Sequence, residues 1–307
     1  MSTGFSARFC RKCLESSINV VDMIRFAQIV YPNYDVYKKS GFPRGYPVNK
    51  KDAAYQIVVD MIQDGYYVDF VELLIDVDSN GFMGSHYAFR GLDDVINDVI
   101  QAGYNYDETT GQFFEDQSQV ISRNWGRLLE GDERQMAVMR MDIAGNSILV
   151  RENPKPLIDT AYGFLQKIIL KAVHSRIGRL WSWEGDGALG VFMLGKYSRS
   201  AIFAGIEILN EMHIYNKTKN PLNSNINLRL SVHSGDLVYS DDEKKCLKAD
   251  IVQKAIKLES KVAVPNSLVI SESLAMAQDQ SLLNIFSNVK TVDSVKYRIY
   301  RVSQDKI

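Results

Sequence analysis

Few folds accommodate the stretch WSWEGDGALGVF, residues 181–192. Alternating apolar residues lead into Gly-Asp-Gly, and a run of small and apolar residues follows at once. Both flanks read as strands, and the glycines between them suit a tight hairpin turn. A buried hairpin needs neighbours to pair its edges and cover its faces, so the flanking segments decide the architecture. MAVMRMDIAG (136–145) reads as a strand and 156–178 as a long amphipathic helix. The hairpin at 179–194 is followed by a helix at 199–217. A strand or bent strand pair at 226–240 and a helix at 249–262 come next, and short strands at 266–273 and 296–303 close the chain. The order β-α-β-β-α-β is that of a ferredoxin-like sheet with C-terminal additions, which predicts an α+β fold.

That order has a chemical consequence. In such a sheet the first strand lies in the centre beside the third, so the hairpin tip adjoins the end of the first strand. Asp142, 44 residues before Asp186, then arrives beside it. Two converging carboxylates form a hard-oxygen site suited to Mg²⁺ or Mn²⁺ carrying a triphosphate. The small-residue turn Gly145-Asn146-Ser147 can offer backbone N–H groups to phosphates. Taken singly, Asp142 reads as a loop cap and Asp186 as a turn residue; it is their pairing by topology that favours a metal site. Trp181 and Trp183 alternate with Ser182, which places both on the face opposite Ser182, in the core beneath the helices.

The first ~135 residues follow a helical period instead. Ile57, Val58, Met61 and Ile62 share one stripe, Phe70, Leu73 and Leu74 another, and Leu14, Ile18 and Val21 a third. A small helical bundle over about 10–102 is expected, with 104–119 as a connector or short hairpin. We read domains at 1–103 (helical) and 136–307 (catalytic), joined by a connector at 104–135. The net charge of −1 is unevenly spread: residues 1–50 hold 8 Lys/Arg and 3 Asp/Glu, 51–135 hold 5 and 17, and 136–307 hold 23 and 17. An acidic middle argues against nucleic acid as the partner, while a mildly basic C-terminal part is compatible with a small anionic ligand. No apolar run reaches the ~18 residues of a membrane span, and the N-terminus lacks a secretory signal, so a soluble, cytoplasmic protein is expected. Cys10 and Cys13 form a CxxC with no second Cys/His pair at zinc spacing, which favours two reduced thiols over a zinc site.

Residues 136–303 resemble a class III nucleotidyl cyclase catalytic domain, the adenylate/guanylate cyclase fold. The resemblance rests on Asp142-Ile143-Ala144-Gly145-Asn146-Ser147 at the end of the first strand, on Gly185-Asp186 in the hairpin and on Val232-His233-Ser234-Gly235 in the fourth strand. The helix 249–259, reading ADIVQKAIKLE, completes it. It implies that a nucleoside triphosphate is cyclised at its 3′-hydroxyl with loss of pyrophosphate. Two Mg²⁺ or Mn²⁺ ions would be held by Asp142, Asp186 and the Ile143 carbonyl. It also implies a homodimer with composite sites, one chain supplying the metal half and the other the transition-state half. Gln253 stands where the family has its transition-state asparagine and Lys257 where it has its arginine. These departures leave open a slow enzyme or a non-catalytic nucleotide-binding module. The base-selecting positions fall on Ser182 and Cys246, which match neither the adenylate nor the guanylate pairing. That unusual pair is similar to the pyrimidine cyclases of bacterial antiphage systems, which implies UTP or CTP as substrate; adenylate cyclase activity stays open as the alternative. The N-terminal part, with YPNY and GFPRG, is similar to small helical adaptor domains of bacterial conflict systems, implying a protein partner. A diguanylate cyclase is disfavoured because Asp186 is followed by Gly187 where that enzyme needs an adjacent acid.

Overall fold

The computed structural model of the chain describes residues 5–41, 48–118, 121–292 and 295–302. Two compact units divide it, Met1–Arg127 and Leu128–Ile307.

The first unit is built from α1 (Ala7–Ser17), α2 (Val20–Val30), α3 (Val36–Ser40), α4 (Lys50–Gln63), α5 (Tyr67–Asn80) and α6 (Leu92–Gln101), followed by a hairpin of β1 (Tyr104–Asp107) and β2 (Gln112–Glu115). The stripes on α4 and α5 converge on one core, where Ile57, Val58, Met61, Phe70 and Leu74 are buried. The stripe expected to run through Leu14, Ile18 and Val21 is broken. The Asn19 side chain accepts from the Asp22 amide at 2.9 Å and starts a new helix, leaving Val21 67% exposed while Leu14 and Ile18 remain in the core. Cys10 and Cys13 point inward from α1, and burial pushes both thiols up, Cys13 to about 12. Both side chains are part of this core. Tyr34 of the YPNY stretch donates to the buried Asp60 at 2.6 Å. Of GFPRG, all but Gly41 lies outside the described residues. The segment expected to act as a connector holds the β1–β2 hairpin and, beyond it, Arg127, whose guanidinium is ion-paired with Asp69 and Glu72 and donates to the Phe113 carbonyl at 2.8 Å.

The second unit comprises β3 (Glu133–Ile143), α7 (Asn146–Glu152), α8 (Lys155–His174), β4 (Arg179–Glu184), β5 (Gly187–Phe192), α9 (Tyr197–Thr218), β6 (Leu228–Val238), α10 (Glu243–Leu247), α11 (Asp250–Val262), β7 (Ser267–Ser271), α12 (Glu272–Ala275), α13 (Gln280–Leu283), β8 (Lys290–Val292) and β9 (Val295–Arg301). The sheet order is β4-β5-β3-β6-β7-β9-β8. Its first four members reproduce the ferredoxin-like arrangement, with β3 central and antiparallel to both β5 and β6. The segment at 226–240 is one long strand, and β7, β8 and β9 extend the sheet beyond it. The two faces are covered differently. Ala137, Met139, Met141 and Ile143 of β3 point into the larger core with Leu165 and Ile169 of α8 and Ile208 of α9. The alternate residues, Arg140 and Asp142 among them, point to the other face, where α11 packs and the Ala255 carbonyl accepts from Ser231 Oγ at 2.6 Å. The functional residues therefore sit on the α11 face.

Candidate active site

Register assembles the site. Within the β3–β5 ladder, Asp142 lies opposite Gly187, and within the β3–β6 ladder it lies opposite Arg229. Asp186 precedes Gly187 in the β4–β5 turn, so both aspartates occupy adjoining strand ends. Gly185 turns the chain with φ +59°, a left-handed conformation that a side chain resists. Gly187 answers a different need: a Cβ there would run into the Arg140 guanidinium, which lies against the strand. Arg229 reaches two acids. Its Nη2 donates to Asp142 Oδ2, and its Nε lies 2.9 Å from Oε1 of Glu259 on α11.

This cluster holds opposing charges in a half-buried place. The Glu259 carboxyl is pushed above the usual carboxylate range by burial; Asp142 and Asp186 add to the rise, while Arg229 and Arg140 oppose it. Burial works against the Arg229 charge, and Asp142, Glu259 and Asp186 more than restore it. The two aspartates thus belong to one electrostatic neighbourhood, together with Glu259, which closes the helix motif 249–259, and with two groups given no role in the sequence analysis, Arg140 and Arg229. For the two arginines the only advance signal was the charged alternation in RMD and LRL. Nothing local tells a surface charge from a partnered one.

The Ile143 side chain is buried in the core, so only its carbonyl, at the strand end, can serve as a ligand. Gly145 caps α7, and Asn146 and Ser147 occupy its first turn, where backbone N–H groups lack intrahelical acceptors. The Asn146 side chain accepts from Tyr162 of α8. Burial and the charge of Asp186 raise the Tyr162 hydroxyl, which places that ring near the aspartate. The donor set of two carboxylates and one carbonyl is all hard oxygen, and it suits Mg²⁺ or Mn²⁺ with phosphate oxygens or water completing the shell. Among the described residues, no group of three or more His, Cys, Asp or Glu side chains is arranged to hold a metal ion. A divalent ion held by these two carboxylates would take its further donors from a substrate or water.

Ser182 is buried at a register shift between Leu180 and Ser182. Leu180 lies opposite Gly190 and Ser182 opposite Leu189, which leaves Trp181 as an extra residue. Trp183 packs on the α8/α9 core as expected. Trp181 does not: the shift turns it to the face of Ser182, where its ring meets Tyr239 at 6.0 Å, edge on. Cys246 is buried on α10, and its Sγ donates to the Ser240 carbonyl at 3.2 Å. The sequence Ser182, Trp181, Tyr239, Ser240, Cys246 thus links the two base-selecting candidates on one face.

Gln253 and Lys257 are not brought to the aspartates within the chain. Gln253 is exposed and donates to the Leu247 carbonyl at 2.7 Å. Lys257 is two residues from Glu259, about 200° around the helix, so the two side chains leave α11 in opposite directions. Lys257 instead lines a cavity of about 530 Å³ with His233, Lys254, Lys261, Ser271 and Lys296. Glu272 also lines it, but that carboxylate is held by Arg298 at 2.9 and 3.1 Å. Lys254 pairs with Asp250 at 2.7 Å. His233 Nδ1 lies 2.9 Å from Ser271 Oγ; burial, aided by Lys254, pushes its pKa down to about 4, so the ring is neutral at pH 7. Lys261 lies one turn beyond Lys257 on the same face of α11, whereas Lys296, 39 residues from Lys257, joins the cavity only in three dimensions.

No protein-family model and no curated protein matches the chain. Solved structures do. The chain is similar to class III adenylate and guanylate cyclase catalytic domains. The monomeric guanylyl cyclase domain of the RhoGC fusion protein from the aquatic fungus Blastocladiella emersonii is 17% identical, with a TM-score of 0.47, over 56% of this chain and 99% of that one. An adenylate/guanylate cyclase/hydrolase from Silicibacter pomeroyi is 20% identical, with a TM-score of 0.47, over 56% and 99%. The adenylyl cyclase CyaB from P. aeruginosa is 17% identical, with a TM-score of 0.47, over 58% and 98%. Among the described residues, no helix is long and apolar enough to cross a membrane.

Proposed function

We propose that Leu128–Ile307 is a nucleotidyl cyclase that converts a nucleoside triphosphate to a 3′,5′-cyclic nucleotide and pyrophosphate. The observation that carries this reading is the register of β3 with β5, which sets Asp142 and Asp186 at adjoining strand ends. In the reaction the 3′-oxygen forms a bond to the α-phosphorus of the same molecule. The bond from that phosphorus to the bridging oxygen breaks, and the hydroxyl proton is lost. Two divalent ions held by Asp142, Asp186 and the Ile143 carbonyl would supply Lewis acidity at the hydroxyl and the phosphates. The chain's own cations serve the phosphate charge that grows on the leaving group. Lys257 and Lys296 line one cavity and act as point charges there, and the Gln253 amide stands one turn from Lys257 on the same face of α11.

Because Lys257 and Glu259 leave α11 in opposite directions, the aspartates and the lysine cavity of one chain serve different sites. A homodimer that sets the carboxylates of one copy against the lysine cavity of the other completes two sites. Ser182 and Cys246 carry no formal charge to pair with guanine's N1–H and N2–H₂ edge, which counts against GTP; the likeness of the pair to pyrimidine cyclases then favours UTP or CTP as substrate and a cyclic pyrimidine nucleotide as the second messenger, with ATP as the alternative that neutral partners also allow. A defence role in bacteria, with the helical unit receiving the signal from a protein partner, accords with that product.

The test is incubation of the purified chain with each of the four nucleoside triphosphates and Mn²⁺, with products identified by mass. A cyclic nucleotide from at least one of them supports the reading. A folded, dimeric protein that makes none would overturn it.

A further inference from the structure

Arg229 spans two elements that carry opposite halves of the chemistry. Its Nη2 engages Asp142 at the end of β3, and its Nε faces Glu259 on α11 at 2.9 Å. The Glu259 side chain is only 5% exposed, against 30% for Arg229. The acid is therefore fixed in the wall while the guanidinium reaches outward over the aspartate. A guanidinium that donates to a carboxylate oxygen draws off part of the negative charge that the oxygen can offer a divalent ion. Asp142 Oδ2 cannot serve both cations at full strength. Glu259 offers the arginine a second, buried anion to which it can retreat, and a buried guanidinium needs such a partner. Arg140, against Gly187, adds a second cation to the same neighbourhood, so an entering ion meets competition there rather than bare negative charge.

We infer that Arg229 and Glu259 are a positioning pair that sets the divalent-ion affinity of Asp142: Arg229 occupies Asp142 while the ion is absent and passes to Glu259 as the ion binds. The inference rests on the cyclase reading of Asp142 and Asp186.

The experiment is Mn²⁺ titration of the full-length chain without nucleotide, with free ion read by electron paramagnetic resonance and folding checked by thermal unfolding. In Glu259→Gln the arginine loses its alternative partner, and Mn²⁺ affinity should fall about tenfold. In the double variant Arg229→Gln with Glu259→Gln the net charge is unchanged, so bulk electrostatics is held constant and only the competing guanidinium is gone. Its Mn²⁺ affinity should rise about fivefold above wild type. Unchanged affinity in both, or a shift in the same direction in both, would overturn the inference. If the double variant fails to fold, Glu259→Gln decides alone, and unchanged affinity there overturns it. Asp142→Asn separates the two readings. If it binds Mn²⁺ as wild type does, the metal assignment of Asp142 fails. If it loses binding while the pair variants match wild type, only the positioning role fails.

Discussion

The carboxylate cluster and the lysine cavity of the second unit lie on opposite sides of α11, and they manage charge in opposite ways. At the cluster, Asp142, Asp186 and Glu259 face Arg140 and Arg229, and the acids and bases largely answer one another. At the cavity, Lys257, Lys261 and Lys296 stand with Lys254 around a space of about 530 Å³, and the glutamate on its wall is engaged by Arg298. One region balances its cations against its anions; the other gathers lysines around a space, with Lys254 paired to Asp250. The separation is dictated by the helix, since residues 257 and 259 diverge by about 200°. On the proposed reading, a single chain would carry both halves of a phosphate-handling site without closing them on each other.

The largest expected effect breaks the comparison on its acidic side. Asp142→Ala or Asp186→Ala should lower cyclase turnover at least about a thousandfold with the fold retained, because the divalent-ion ligands are lost. A variant with turnover near wild type removes the acidic half from the reaction altogether. Next comes the basic side, where Lys257→Ala should cost about a hundredfold. Mixing an Asp186→Ala chain with a Lys257→Ala chain then sharpens the comparison. Random pairing gives half mixed dimers, each with one intact site, so about a quarter of wild-type turnover should return. No recovery after demonstrated subunit exchange would place both halves in one chain's site.

A smaller effect concerns the base. Ser182 and Cys246 are joined through Trp181, Tyr239 and Ser240 on the face that also holds the aspartates. Neither side chain carries formal charge to pair with guanine's N1–H and N2–H₂ edge. Leaving that edge unpaired costs about 1–3 kcal/mol, or one to two decades in rate against GTP. Competition among the four triphosphates at equal concentration, with products weighed by mass, should show a cyclic pyrimidine nucleotide dominating. Adenine needs only neutral partners, so ATP is the competitor that this pair does not exclude, and cyclic AMP as the main product would reject the pyrimidine assignment.

Much of the fold was legible because it rests on period. The alternation in 136–145 and 179–192 sets strand type, and strand order then carries Asp142 to the hairpin tip without any local contact between them. What escaped has a physical reason in each case. The extra residue at Trp181 leaves the apolar pattern intact while turning one side chain over, so alternation alone misplaces it. The break at Asn19 hides inside a continuous helical stripe and is set by one cap. Arg229 meets Asp142 from 87 positions away, and Lys296 reaches the cavity from a strand beyond the ferredoxin-like part of the sheet. These are tertiary pairings of ordinary surface residue types, and composition gives no mark of them.

The smallest effect tests how the cavity wall holds its histidine, His233. His233 stands on its wall, and burial and Lys254 hold its pKa down to about 4, with Asp250 opposing. The unfolded chain titrates the same ring near 6.5. Above pH 6.5 the ring is neutral in both states and contributes no pH dependence. As pH falls from 6.5 towards 4, the unfolded chain takes up the proton first, so stability is lost across that window, by about 2 kcal/mol after allowance for partial exposure. His233→Gln keeps an amide within reach of Ser271 and removes the titration. Its unfolding free energy, measured between pH 4.5 and 7.5, should decline with acid by about 1–2 kcal/mol less than that of wild type. Carboxylates elsewhere, Glu259 among them, titrate in both proteins and cancel in the difference. Parallel curves for the two would mean that the imidazole is not held neutral in the folded chain and that burial on the cavity wall does not govern its protonation.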